Sequence, residues 1–323
     1  MRCLPRLPII ASLMAAATAV HANEPSLKVS GLIDLGVYKN ADKQWNVGTI
    51  QRSHLQFTGT EALSSSGLTA FFKLSTRLEA DTGALEAGGR PFWHDESTVG
   101  LRGAFGAIKF GRALDAMYAS DWNFDPWAYF DRVASPAWDL WHYHYPSDAF
   151  ANSGAAEYGR IDNGIFYDSP RFKGFGLSIS GSPEQRVGAT GRPLGAALTY
   201  FTPAFSAMLS RSENSTGASD VFMGVKGRVR QVTLMAAYDV SKTANDASTA
   251  RALTLGAQYS RKAWTFKGGW GRLKVDGRHV QAVTGASVLY GLSRRTSVYA
   301  DLARKRYVDD DATVYGVGMA HSF

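Results

Sequence analysis

The chain has 323 residues, 45% hydrophobic, 12% aromatic and 20% charged, with 33 glycines and a net charge of +7. A soluble domain of this size ordinarily shows several amphipathic helices of about ten residues or more, yet none can be traced beyond the first two dozen positions. Short alternating segments punctuated by Gly, Asp, Asn and Ser stand in their place, the pattern of an all-β chain.

The first residues read as an export leader. Arg2 and Arg6 precede the apolar stretch Leu7 to Val20, and Val20-His21-Ala22 supplies a cleavage context, so cleavage after Ala22 is expected, with one domain over 23–323. The apolar stretch falls short of the roughly 20 residues a membrane helix needs, and no second candidate follows. If the chain lives in a membrane it must therefore be a closed barrel, since only helices and barrels satisfy every backbone polar group in lipid. The sole cysteine, Cys3, lies in the leader, so the exported chain forms no disulfide and depends on its own ladder and packing. Loss of Arg2 and Arg6 leaves 33 basic against 28 acidic residues. On an exported chain that surplus reads as charge lining a lumen, and no nucleic-acid partner is expected.

From Leu27 the odd positions are Leu27, Val29, Gly31, Ile33, Leu35 and Val37, while Lys28, Ser30, Leu32, Asp34, Gly36 and Tyr38 fall on even ones. Successive side chains of a strand point to opposite faces, so one face is apolar and the other mostly polar or small. With this first run at 26–38, further runs are expected near 52–60, 67–79, 96–103, 106–112, 160–168, 174–181, 193–201 and 204–211. The series continues near 219–227, 230–240, 251–260, 263–273, 279–291, 295–306 and 312–323, giving 16 strands in all. Many have the length of a tilted strand crossing a bilayer. Short connections such as 103–106, Thr202-Pro203, Arg261-Lys262 and 292–295 contrast with longer ones near 39–51, 80–95, 113–159, 182–192, 241–250 and 307–311. Such segregation is a habit of outer-membrane barrels. Tyr200, Tyr238, Tyr259, Trp264, Trp270, Tyr290 and Phe323 lie on the apolar parity, mostly near strand ends, where amphipathic rings suit a membrane boundary.

Several segments in this order carry a resemblance: 27–34, 55–61, 97–103 with Phe110-Gly111-Arg112, 160–164, 167–170, 292–296, and the ending 317–323 with its terminal Phe323. Together they resemble the Gram-negative general porins, in particular the β-proteobacterial type. The resemblance implies a transmembrane antiparallel β-barrel of 16 strands, assembled as a homotrimer in the outer membrane among its lipid and lipopolysaccharide. It implies a third external loop, here 113–159, folded into the lumen, and a terminal Phe323 strand read by the barrel-assembly machinery. The function it implies is passive diffusion of small hydrophilic solutes and ions, with no catalysis and no cofactor. The chain departs from the family's basic wall at His54, Asp95-Glu96, Ala320 and Ser322, so any anion preference is expected to be mild, with Arg52 replacing part of the missing charge.

By parity and family position, the expected pore-lining residues are Arg52, His54, Lys73, Arg77, Glu96, Lys109, Arg112, Arg160 and Asp162, joined from the third loop by Asp121, Asp125 and Asp131. Opposed charges across a narrow aqueous passage set up a transverse field that selects ions and orients dipoles. The loop is also dense in rings, among them Trp122, Trp127, Trp138 and Trp141. These either pack the loop against the wall or form an aromatic track for sugars or aromatic acids. His142 and His144, with His94 elsewhere, show no third ligand at a telling spacing, and no metal is expected. Two rivals remain. An outer-membrane barrel enzyme needs a converging nucleophile and base, whereas Ser53 and His54, adjacent in one strand, point to opposite faces. A soluble periplasmic β-protein that binds a ligand would share the leader and the alternation.

Overall fold

The computed structural model describes residues 25–63, 67–86, 91–145, 159–184, 189 and 191–323. The expected leader, 1–22, and its cleavage site lie outside the described residues. Sixteen long strands form one antiparallel cylinder: β1 (Ser26–Lys39), β2 (Ser53–Ala62), β3 (Thr69–Glu79), β4 (Glu96–Gly103), β5 (Gly106–Leu114), β6 (Arg160–Asp168), β7 (Phe175–Gly181) and β8 (Leu194–Phe201) make the first half. The second half is β9 (Phe205–Glu213), β10 (Ser219–Val229), β11 (Val232–Lys242), β12 (Thr249–Arg261), β13 (Trp264–Val275), β14 (Arg278–Gly291), β15 (Thr296–Tyr307) and β16 (Asp311–Ser322). Each expected strand is present within a few residues. Two short pieces were not expected: Trp45–Gly48 folds back on 36–39, and Ala84–Leu85 pairs with 78–79. Both are too short to show a period.

Every strand pairs with its neighbours in sequence, and β1 closes the ring by pairing with both β2 and β16. An even number of strands lets the first and last meet antiparallel. The tilt of a closed barrel divides β1 between them: its start lies against β2 (Ser26↔Thr60 to Leu32↔His54) and its end against β16 (Leu32↔Ser322 to Lys39↔Tyr315). Gly31 and Phe323 exchange backbone hydrogen bonds at this seam, 3.2 and 3.1 Å long.

The alternation is inside-out relative to a soluble protein. Leu27 is 69% exposed, whereas Asp34 on the other face of the same strand is fully buried. Leu198, Leu209, Leu234, Leu302 and Val317 repeat the exposed apolar pattern around the barrel. An exposed apolar area of this extent requires lipid to cover it. At the short-turn end, Trp264 lies 4.7 Å from Tyr290 and 6.1 Å from Phe266, and Phe175 lies 4.7 Å from Tyr200. At the long-connection end Trp45 meets Tyr315 edge-on at 5.6 Å. These rings form the two aromatic rows expected of a bilayer boundary.

The connection after β5 departs through a register shift at Gly111–Ala113, with Gly111 at a φ of 126°. A bulge of this kind re-aims side chains, and Arg112, within it, reaches Asp162 at 2.5 Å. Beyond β5 the chain holds a 3₁₀ turn, Asp121–Phe124, and one short helix, α1 (Pro136–Leu140). Ser135 caps α1 by accepting from Trp138 N–H at 3.2 Å, and Pro136 occupies the first turn, where its missing N–H costs nothing.

Asp34 anchors the region beside the seam. Its Oδ1 accepts from Ile50 N–H (2.9 Å) and Gln51 N–H (2.8 Å), and its Oδ2 accepts from the Tyr299 hydroxyl at 2.6 Å. Tyr299→Phe leaves a buried carboxylate oxygen without its donor, a loss of about 1–3 kcal/mol. The expected outcome is a lower temperature for the heat-induced mobility shift of the folded barrel on detergent gels, with unchanged yield of folded protein.

Candidate functional site

The polar face of β2–β6 carries an ion-pair lattice. Asp95, just before β4, is its hub: it accepts from Arg77 Nε at 2.7 Å and from Arg160 Nη2 at 2.5 Å, while its carbonyl accepts from Arg160 Nε at 2.6 Å. Burial opposes charge on Asp95, but the Arg77, Arg160 and Arg52 guanidiniums outweigh it and hold the carboxyl well below the usual range. Lys73 (2.9 Å) and Lys109 (2.7 Å) converge on Glu96, and Arg112 donates to the carbonyl of His94 as well as to Asp162. His54 lies directly across the ladder from Arg77. Arg52 stacks its guanidinium on the Phe130 ring, 3.3 Å from the centroid, a cation–π contact. The residues chosen by parity on these strands therefore fall together. Glu86 and Arg132 escaped the sequence reading because they lie in connections without a period: Arg132 Nη2 bridges Glu79 (2.9 Å) and Glu86 (3.1 Å).

Residues 115–145 lie against the polar-parity side chains of seven strands. Ala116 N–H donates to Ser180 Oγ (2.9 Å), Trp141 Nε1 to Thr254 Oγ1 (3.2 Å), Trp127 Nε1 to Ser287 Oγ (2.6 Å) and His144 N–H to Ser241 Oγ (2.9 Å). Lys305 Nζ meets Asp139 at 2.7 Å and donates to the Arg132 carbonyl at 3.1 Å. His142 reaches Asp220 on β10 and Asp239 on β11, and Arg132 reaches Glu79 on β3. Glycines permit the close approach: a Cβ at Gly285 would sit 1.9 Å from the Ala134 carbonyl oxygen, and one at Gly224 would strike the Phe124 ring.

The loop acids differ from expectation. Asp121, Asp125 and Asp131 are buried and do not face water. Asp125 Oδ2 accepts from Trp127 N–H, Tyr129 N–H and Ser135 Oγ, and Asp131 Oδ1 accepts from Val133 and Ala134 N–H. Asp121 accepts from His142. An irregular loop pressed on a wall has backbone donors that water cannot reach, and short acidic side chains satisfy them. The rings follow the same logic. Trp127 and Trp141 are buried, and Trp141 stacks on Tyr129 at 5.8 Å. Trp138 lies 6.0 Å from Tyr129 and beneath the Arg132 guanidinium, and of the four only Trp122 is exposed. The Trp127 and Trp141 ring faces serve packing. Ser53, considered above beside His54, exchanges hydrogen bonds through its Oγ with the Asp34 backbone at 2.9 and 3.0 Å.

Burial raises the carboxyls of Asp115 and Asp125 to about 6. At His142 burial opposes the charge, but the Asp239 and Asp220 carboxylates outweigh it and lift the imidazole well above its ordinary value. All three groups have raised values in the docked loop. Their contribution is therefore full below the unfolded values and is lost as pH rises through the docked ones. Amide-exchange protection over 115–145, corrected for intrinsic rates, is expected to rise about tenfold or more from about pH 8 to about pH 5. Flat protection across that window would show that these protons do not hold the loop. Gly285→Ala is expected to lower protection in the same residues at every pH, because the methyl displaces the Ala134 carbonyl.

Comparison with known proteins matches this architecture. The Gram-negative porin family profile spans residues 10–319. Outer membrane porin protein 32 of Delftia acidovorans is 26% identical over 340 residues, covering 96% of this chain and 91% of that protein. Among solved structures, the anion-selective porin from Comamonas acidovorans superimposes with a TM-score of 0.78 at 22% identity, over 93% of this chain and all of that one. The trimer form of OmpT, an outer membrane protein of Vibrio cholerae, gives 0.66 at 11% identity, over 93% and 99%. A closed 16-strand barrel, an apolar belt with aromatic borders and a family match over nearly the whole sequence lead to one conclusion: the chain belongs to the Gram-negative porins of the outer membrane.

Proposed function

We propose that the chain is a passive diffusion channel with a mild preference for small anions, narrowed by residues 115–145 lying within the lumen and assembled as a homotrimer. The observation that carries the anion preference is the imbalance of the wall lattice. Arg52, Arg77, Arg112, Arg132, Arg160, Lys73 and Lys109 stand against Glu79, Glu86, Asp95, Glu96 and Asp162. A cationic excess in a low-dielectric passage raises the local concentration of anions. Most of these charges are paired, which keeps the field modest.

The placement of the loop is supported by its contacts with polar-parity side chains on strands from β3 to β15. The anion-selective Comamonas porin shares the fold, and the V. cholerae relative forms a trimer. Lipopolysaccharide on the belt and recognition of the Phe323 strand by assembly machinery complete the reading.

In planar bilayers the purified protein is expected to give steady open channels, with a reversal potential of anion-selective sign in a salt gradient. Lys73→Met with Lys109→Met leaves Glu96 uncompensated and is expected to cut that potential by about half or to reverse it. A cation preference in the unaltered protein would overturn the anion reading, and absence of conductance would overturn the channel.

A further inference from the structure

One cluster in the 115–145 segment is not used by the permeation reading. His142 Nδ1 lies 2.9 Å from Asp220 Oδ2 on β10 and 3.0 Å from Asp239 Oδ2 on β11, and the ligand-type atoms of the three residues all fall within 4.8 Å of one another. All three side chains are 1% exposed or less. On the other side of the ring, Nε2 lies 3.0 Å from Asp121 Oδ2. A carboxylate at Nε2 is the outer-sphere arrangement that orients metal-bound histidines: with a cation bound, Nε2 would keep its proton toward Asp121 while Nδ1 gave up its own and faced the cation between the two wall acids. The backbone is arranged to present the ring: His142 adopts a φ of 57°, unusual for a side-chain-bearing residue, and its N–H donates to Asp239 Oδ1 at 3.1 Å.

Two observations point to a cation as the counter-charge. Asp220 Oδ1 is a buried oxygen with no hydrogen-bond partner, and Asp239 Oδ2, which makes no hydrogen bond, has the His142 Nδ1 3.0 Å away. Among the described residues, no Lys or Arg pairs with Asp121, Asp220 or Asp239. Three buried carboxylates around one imidazole leave negative charge uncompensated, which in a dry site is costly unless a cation or protons supply the balance. One imidazole nitrogen with two carboxylate oxygens is a donor set suited to zinc or manganese.

We propose that His142, Asp220 and Asp239 form a divalent-cation site of the zinc type, with Asp121 as the positioning residue, which fastens residues 115–145 to β10 and β11. The inference goes beyond permeation, and conductance of the same preparations tests permeation separately.

The test uses the full-length barrel, refolded into detergent in the presence of EDTA, exposed to Zn²⁺ and desalted. The unaltered protein is expected to keep about one zinc per chain. Asp220→Asn with Asp239→Asn, which retains shape and acceptor oxygens, is expected to keep less than about a tenth of that. Heat-modifiable mobility verifies that the variant has folded. Should it not fold, the zinc-edge absorption spectrum of the unaltered protein decides: one imidazole with oxygen neighbours upholds the site, and a shell of several imidazoles or of water alone refutes it. Failure of the unaltered barrel to retain zinc, or equal retention by the folded double variant, overturns the proposal and means that protons hold the cluster.

Discussion

Every backbone N–H and C=O inside a bilayer has to find its partner within the chain, and this requirement governs the whole molecule. A β-sheet meets it only when it has no edge. Hence the pairing of β1 with both β2 and β16 is the contact on which the other fourteen ladders depend. Once the cylinder is closed, the alternation of side chains sorts itself: Leu, Val and aromatic residues outward, and Ser, Thr, Asp and Arg inward. No conventional core is needed where the ladder supplies the cohesion. The buried apolar residues that do exist, such as Met117, Phe124, Leu140 and Phe222, gather where residues 115–145 meet the wall.

The loop is held by chemistry different from that of the barrel. Its backbone has no ladder, so its donors are met one by one by Asp115, Asp125 and Asp131 and by the hydroxyls of Ser180, Ser241, Thr254 and Ser287. These are many individually modest bonds, and several depend on protonation. The ion-pair hub and the loop's anchorage also lie in separate places: the Asp95–Arg77–Arg160 hub lies on β3–β6, and the His142 cluster lies against β10 and β11.

The strands were legible because each states its own geometry. Alternation at 27–37 and turn chemistry such as Thr202-Pro203 are local signals, and the wall charges Lys73, Arg77, Lys109 and Arg160 follow from parity once the strands are placed. The loop was legible in position only. Asp121, Asp125 and Asp131 read as wet charges because nothing local shows that the backbone beside them is deprived of water. His142 read as a histidine without ligands because Asp220 and Asp239 lie 78 and 97 residues further along the chain. Short pieces such as 45–48 and 84–85 lack the length over which a period can be seen.

The join between Gly31 and Phe323 bears on how the protein is made. Because β16 is stitched to β1, the ring stays open until the chain as far as Phe323 has been delivered. A copy cut short by a few codons would present two raw sheet margins to every other chain nearby, a template for aggregation.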